Sequence, residues 1–197
     1  MPAILTGPYG QAFPSYEAQH VLAIAGGTGV TFTLPIIMEA IRQQTSLTKC
    51  ALDLVWVIRK AQDLRWLEHE FAELMDMANS NLGLRVKVFV TRDASPLPQC
   101  ISEKSGSGSP VGISETGAQS LYDMFDTTNG RCSLTFLNGH HPSIAEMVDE
   151  FVDRASSVGG NLEIIGSGPE TMGVDVRRAV ARISYEDGVN YYWDSRE

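Results

Sequence analysis

The segment Gly26-Gly27-Thr28-Gly29-Val30-Thr31 carries the clearest chemical signal in this sequence. An apolar run, Val21 to Ala25, precedes it and an amphipathic stretch follows, so it reads as a turn between a strand and a helix. Such a turn aims backbone N–H groups outward at the positive end of the helix dipole. The N–H groups of Thr28, Gly29 and Val30 are therefore expected to cradle a pyrophosphate, with the Thr31 hydroxyl adding a hydrogen bond. The fingerprint G-x-G-x-x-G is incomplete: Gly27 and Gly29 fit, but Phe32 stands at the third glycine. No Gly-Lys-Ser/Thr follows, which removes the P-loop reading, and a tight turn without a ligand is the alternative.

Two further apolar runs end in glycine-containing loops, Gly139-His140-His141-Pro142 and Gly166-Ser167-Gly168-Pro169. In a parallel sheet the carboxyl ends of the strands form the ligand crevice, and glycines let a ligand approach the backbone. The three loops are expected to line one site. The second strand ends in Ile58-Arg59-Lys60, with no acid to hold ribose hydroxyls, and the third in Thr91-Arg92-Asp93. Cations at those ends suit a 2′-phosphate, against the alternative of solvated charges. His20 and His69 are isolated, and His140 and His141 have no Cys or carboxylate at ligand spacing, so no metal is expected. Trp66, Phe71 and the methionines on helical spacing are expected in the core.

These loops need a scaffold, and the rest of the sequence supplies an α/β pattern. Strands are expected at Val21–Ala25, Leu52–Ile58, Arg85–Val90, Ser133–Leu137 and Leu162–Ile165, alternating with helices. Asp63 is expected to cap a helix burying Leu64, Leu67, Phe71, Leu74 and Ala78. Ser143 and Glu146 have capping-box spacing ahead of Ile144, Met147, Val148, Phe151 and Ala155. Pro169 suits the first turn of a last helix carrying Met172, Val176, Ala179, Val180 and Ile183. The fold expected is a Rossmann-like parallel five-stranded sheet with helices on both faces. Between strands three and four, residues 93–130 form a Ser-, Gly- and Pro-rich insertion in which Leu121, Tyr122, Met124 and Phe125 suit a short docking helix.

The 197 residues suit one domain, and 43% hydrophobic with 20% charged residues is a globular composition. A net charge of −9 disfavours nucleic acid and anionic membrane surfaces as partners. No apolar run reaches membrane-spanning length, and no signal peptide is visible, so the chain is expected to be soluble. Cys50, Cys100 and Cys132 are far apart and odd in number, which favours free thiols.

Taken together, these segments resemble the NADPH-binding domain of the ferric reductase and NADPH oxidase family, within the ferredoxin-reductase-like group. The matching segments are Gly7-Pro8-Tyr9-Gly10, Gly26 to Pro35, Val55 to Arg59 with Leu64 to Leu67, Gly139 to Pro142, Gly166 to Pro169, and Asp175 to Val180. They cover nearly the whole chain apart from the insertion. The stretch Gly26-Gly27-Thr28-Gly29-Val30-Thr31-Phe32-Thr33-Leu34-Pro35 is the most specific, and is more similar to fungal ferric-chelate reductases than to the oxidases.

The resemblance implies a fold of the ferredoxin-reductase NADP-binding type. It implies Thr28, Gly29 and Thr31 at the pyrophosphate and Arg59 at the 2′-phosphate, with Arg92, His141 and Pro142 as further cofactor-binding residues. Gly166, Ser167, Gly168 and Pro169, with Met172, would lie at the nicotinamide, and Ser167 at the hydride-transfer position is the candidate catalytic residue. Ser167 stands where the family usually has Cys, and His141 where it usually has Arg. Residues 1–15 are expected to be the end of a flavin domain and a linker, and residues 16–197 the NADPH-binding domain. The implied function is the electron-input domain of a membrane ferric-chelate reductase, passing hydride to FAD on a separate domain and electrons through haem to ferric iron. FAD and haem are expected in the parent protein, at the cytosolic face of a membrane, and not on this chain. A superoxide-forming NADPH oxidase shares the same donor domain. A third reading is an NADPH-sensing or interaction module without turnover.

Overall fold

The computed structural model describes residues 19–43, 50–80, 83–93, 125, 130–183 and 188–195. Six strands form one sheet: β1 (His20–Gly26), β2 (Leu52–Ile58), β3 (Leu84–Val90), β4 (Cys132–Phe136), β5 (Leu162–Gly168) and β6 (Val189–Ser195). Their order is β4-β3-β2-β1-β5-β6, and every adjacent pair is parallel. Among the described residues, four α-helices of full extent accompany them: α1 (Val30–Gln43), α2 (Glu68–Ser80), α3 (Ile144–Ser156) and α4 (Glu170–Val180). The fold is the expected Rossmann-like α/β class, with one strand more than the five expected. The extra strand, β6, is a half-exposed edge strand in which polar Asn190, Asp194 and Ser195 flank the aromatics, so no apolar run marks it.

Continuous apolar runs became central strands: every residue of β1, β2 and β5 is buried, as expected where helices cover both faces. Alternation along each strand divides the core in two. Val21, Ala23, Ala25, Leu54 and Trp56 pack with Leu34 and Ile37 of α1 and Phe71 and Leu74 of α2. Leu22, Ile24, Val55 and Val57 face Val148 and Phe151 of α3 and Val176 and Ala179 of α4. Ser143 caps α3 as expected, its Oγ accepting from the Glu146 N–H at 3.3 Å, and all five residues of that helix's apolar stripe are buried.

Three expectations are corrected. The helical segment after β2 begins with a 3-10 stretch, Ala61–Leu67, so Asp63 is its third residue and not its cap. Asp63 still serves the terminus, because its Oδ2 accepts from the Lys60 N–H at 3.2 Å. Three residues per turn align Ala61, Leu64 and Leu67 and turn Trp66 away, so Trp66 is 62% exposed and outside the core. Ile183 lies beyond α4, which ends at Val180. Phe71 is in the core as expected, as are Met38, Met75 and Met147. Residues 1–15 lie outside the description, and so does most of the insertion, including Leu121, Tyr122 and Met124 of its suggested helix; Phe125 is described and buried.

Buried polar groups away from the strands' carboxyl ends are structural. His20 Nδ1 accepts from the Ala51 N–H at 2.9 Å while Nε2 donates to Gly159 O at 2.8 Å, tying β1 to the start of β2 and to the turn before β5. Asp53 is paired with Arg154, beside Glu150, which binds Arg85 and Lys87. Burial outweighs the attraction of Arg154 and pushes the Asp53 carboxyl up to about 6. Among the described residues no helix is long and apolar enough to cross a membrane.

Candidate functional site

From β1 the chain moves outward through β2 and β3 to β4, then returns to the opposite side of β1 as β5. That reversal places a crevice between the carboxyl ends of β1 and β5, where ligands of open α/β sheets bind. The register sets Ala25 opposite Ser167, so the Gly26–Gly29 turn and the Gly166–Pro169 loop meet.

They meet closely enough to change the meaning of their glycines. A Cβ on Gly29 would stand 2.5 Å from the carbonyl carbon of Ser167 and closer still to its oxygen. One on Gly26 would stand 2.7 Å from Pro169 Cδ, and one on Gly168 3.0 Å from Gly26 Cα. At these glycines the missing Cβ lets two loops touch each other, a reason beyond the ligand approach that the sequence suggested. Gly27 is different. Its φ is +53°, and a Cβ there would meet nothing within 4 Å, so it is the glycine of this turn that faces open space. The turn is held from below by Trp56, whose Nε1 donates to Gly27 O at 2.8 Å while its ring packs on Phe71 at 5.2 Å.

Thr28 and Thr31 are exposed at this turn, while the Val30 side chain is buried. The Thr31 hydroxyl, expected to meet a phosphate, donates to Thr28 O at 2.9 Å, and the Val30 N–H is also directed at Thr28 O. Ser167, expected at the hydride-transfer position, is fully buried, and its Oγ donates to Asp194 Oδ2 of β6 at 3.3 Å. Pro169 is exposed ahead of α4. Met172 is half-buried, with Sδ 3.2 Å from the Cβ position of Gly26. Gly166 is covered by Trp193, whose Cε3 lies 2.6 Å from a Cβ there.

Arg59, Lys60 and Arg92 are exposed. The β2–β3 ladder runs past the strand ends, with Thr91 N donating to Ile58 O and Arg92 N to Arg59 O, each at 2.9 Å, so the two arginines lie side by side. The acids here serve the backbone: besides Asp63, Asp93 Oδ2 accepts from the Ala61 N–H at 2.7 Å. Among the described residues, none of the three cations makes an ion pair.

The third loop stands apart. Asn138 (φ 48°) and Gly139 (φ 92°) turn the chain after β4, and Gly139 N donates to Thr91 O at 2.5 Å. His140 and His141 are exposed and Pro142 half-buried in this loop, on the same edge of the sheet but three strands from β1, about 14 Å at ordinary strand spacing. The structure thus joins two of the three expected loops directly and sets the third beside Arg92.

Sequence reasoning missed Asp194, Trp56 as the support of the turn, and Asp93 as the acceptor for the Ala61 N–H, whereas Asp63 was expected at this terminus as its cap. Asp93 carried a readable signal, an acid three residues past the expected strand end at Val90. Asp194 carried none, because its place depends on recognising β6.

Residues 18–181 match the family described as the ferric reductase NAD-binding domain. Similar proteins include a probable metalloreductase, AIM14, of Scheffersomyces stipitis, 28% identical over 130 residues, which are 65% of this chain and 21% of that protein. Ferric reduction oxidase 8, mitochondrial, of Arabidopsis thaliana is 33% identical over 91 residues, 46% of this chain and 12% of that one. Ferric/cupric reductase transmembrane component 2 of Schizosaccharomyces pombe is 30% identical over 81 residues, 41% and 14% of the two chains. The match therefore spans about a fifth or less of the length of these relatives. A solved ferredoxin reductase of carbazole 1,9a-dioxygenase matches at 18% identity and TM-score 0.41, over 90% of this chain and 37% of that one. With the family match extending over most of the sequence, the chain belongs to the ferric reductase NAD-binding domain family.

Proposed function

We propose that the chain is the NADPH-binding, electron-input domain of a membrane ferric-chelate reductase. The observation that carries this reading is the layout of one sheet edge: exposed Thr28 and Thr31 at the β1–β5 crevice, and the cations Arg59, Lys60 and Arg92, without an ion pair among the described residues, one and two strands along. The residues suit a dinucleotide phosphate in space and charge. Gly27 opens onto free space, and the nearby acids Asp63 and Asp93 are engaged by backbone N–H groups.

In this reading Gly27, Thr28, Gly29, Val30 and Thr31 hold the pyrophosphate, the Thr31 hydroxyl turning from Thr28 O to do so. Arg59 and Arg92 hold the 2′-phosphate, with His141 and Pro142 at the outer end. Gly166, Ser167, Gly168, Pro169 and Met172 border the nicotinamide, Ser167 at the hydride-transfer position. Bound NADPH supplies hydride for FAD on a separate domain, from which electrons pass through haem to ferric iron. The flavin and haem domains belong to the same parent protein, at the cytosolic face of a membrane. The chain's own task is orientation and charge, since the redox chemistry resides in the cofactors. The names of the relatives, a metalloreductase and a ferric/cupric reductase transmembrane component, support this setting. Burial of the Ser167 hydroxyl favours a second reading, an NADPH-sensing module without turnover. A superoxide-forming oxidase would use the same donor domain.

Calorimetric titration tests the proposal. NADPH is expected to bind more tightly than NADH, with Arg59→Ala abolishing the difference; equal affinities unaffected by that substitution would sink it. The same chain should retain no FAD and leave ferric citrate unreduced, and a stoichiometric flavin would move the domain boundary.

A further inference from the structure

We propose that Trp56 is a positioning residue for the nucleotide: its indole holds the Gly27–Thr28 peptide with the carbonyl turned inward and the N–H turned outward, toward the pyrophosphate. The inference rests on the assignment of the pyrophosphate to this turn given above.

The indole reaches the turn because its neighbours on β1 are small. Trp56 of β2 stands in register with Ala25, the last residue before the turn, and Ala23 and Ala25 on that face of β1 leave room for a large ring beside them. The ring is fully buried and packs on Phe71 of α2 at 5.2 Å. Its Nε1 donates to Gly27 O at 2.8 Å. An indole has one donor and no acceptor, and a buried donor left without a partner is costly.

A trans peptide is planar, with its C=O and N–H on opposite sides. Anchoring Gly27 O inward therefore aims the Thr28 N–H away from Trp56, to the side where Thr28 is exposed and Gly27 is open. The next peptide is gripped in the same manner, since Thr28 O accepts from the Thr31 hydroxyl at 2.9 Å and faces the Val30 N–H. Gly27 by itself does not fix the first peptide. It has no side chain and a φ of +53°, and a glycine passes readily to other backbone angles. Turned over, the peptide would present its carbonyl oxygen to the phosphates and point an N–H at the indole N–H. That state loses a bond to the ligand and strands a buried donor at the same time, so Trp56 excludes it. The bond to Gly27 O also polarises the peptide, which makes the Thr28 N–H a better donor. A side chain that the ligand never touches thus decides whether the turn offers it a donor or an acceptor.

The test is calorimetric titration of the 197-residue chain with NADPH and with NADH. Trp56→Phe keeps an aromatic ring against Phe71 and removes the donor. It is expected to weaken both nucleotides by roughly tenfold, as for the loss of one hydrogen bond to a charged group, with their ratio unchanged within about twofold. Phe71→Leu disturbs the same packing and keeps the donor, and should leave both affinities within about twofold of wild type. An equal loss in Phe71→Leu, an unchanged affinity in Trp56→Phe, or a shifted ratio overturns the proposal. The wild type gives a reading that needs no variant: in amide NMR spectra the Thr28 N–H proton should move downfield as NADPH is added, and the Trp56 indole proton should stay protected from exchange with and without it. A Thr28 proton that does not move while NADPH binds, or an indole proton that exchanges freely, overturns the proposal even where Trp56→Phe fails to fold. If neither nucleotide binds the wild type, the nucleotide-site reading falls and this proposal with it; if both bind and their affinities are indifferent to Trp56, this proposal falls alone.

Discussion

Between β1 and β5 the chain has given up side chains to bring two backbones together, so that a Cβ on Gly29 would stand 2.5 Å from the carbonyl carbon of Ser167. Over β2 and β3, on the same edge of the sheet, Arg59, Lys60 and Arg92 are exposed and make no ion pair among the described residues. The crevice at the seam is shaped by what was removed, and the basic edge is defined by what was added. Substitutions at the seam should therefore act on folding, and those at the basic edge on binding.

The largest expected effect breaks the seam. Gly29→Ala must push β5 away or distort the turn, and about 3 kcal/mol or more of stability should be lost by urea denaturation. A loss below about 1 kcal/mol would mean that the close approach is not what this glycine is for. At the other region, Arg59→Ala should leave stability within about 0.5 kcal/mol while weakening NADPH roughly ten- to thirtyfold and NADH little. Arg92→Ala should act the same way more weakly. A variant of either arginine that melts early would dissolve the contrast.

The seam side of the sheet also buries an acid. Glu163 of β5 pairs in register with Val21 of β1 and Asn190 of β6, and burial raises its carboxyl from 4.5 to about 7. Between those values the folded state keeps a proton that the unfolded state releases, so stability should fall as pH rises from about 5 to above 7 and recover on acidification. Glu163→Gln should flatten that dependence and gain about 1–2 kcal/mol at pH 8. The smallest effect separates two glycines of one turn. Gly27 has open space but a φ of +53°, so Gly27→Ala should lose only about 1 kcal/mol and Gly27→Asn less.

Local patterns in the sequence were enough for the fold class, the central strands and the α3 cap, because continuous apolar runs and a capping box report local geometry directly. They failed where geometry departed from the regular period. Trp66 was assigned to the core because an α-helical period was extended into a 3-10 stretch. Strand β6 was missed because an edge strand shows mixed polarity. Candidate site residues could be named from glycine-bearing strand ends, yet strand order is a non-local property. No spacing told that the β1 and β5 loops would touch while the His140-His141 loop sat beyond β3. The reason for the glycines was likewise invisible, since a missing Cβ looks the same in sequence whether a ligand or another loop fills the space.

Sequence distance across the seam has a consequence for how the molecule is made. His20 on β1 bonds to Gly159 just before β5, 139 residues later. A nascent chain can pair β1 with β2 early, but the other side of β1 must wait for β5. Until then an apolar strand destined for the middle of the sheet presents a bare edge of unpaired amides and carbonyls, a template for misassociation between chains. A chain that stops short of Leu162 would leave that edge of β1 open.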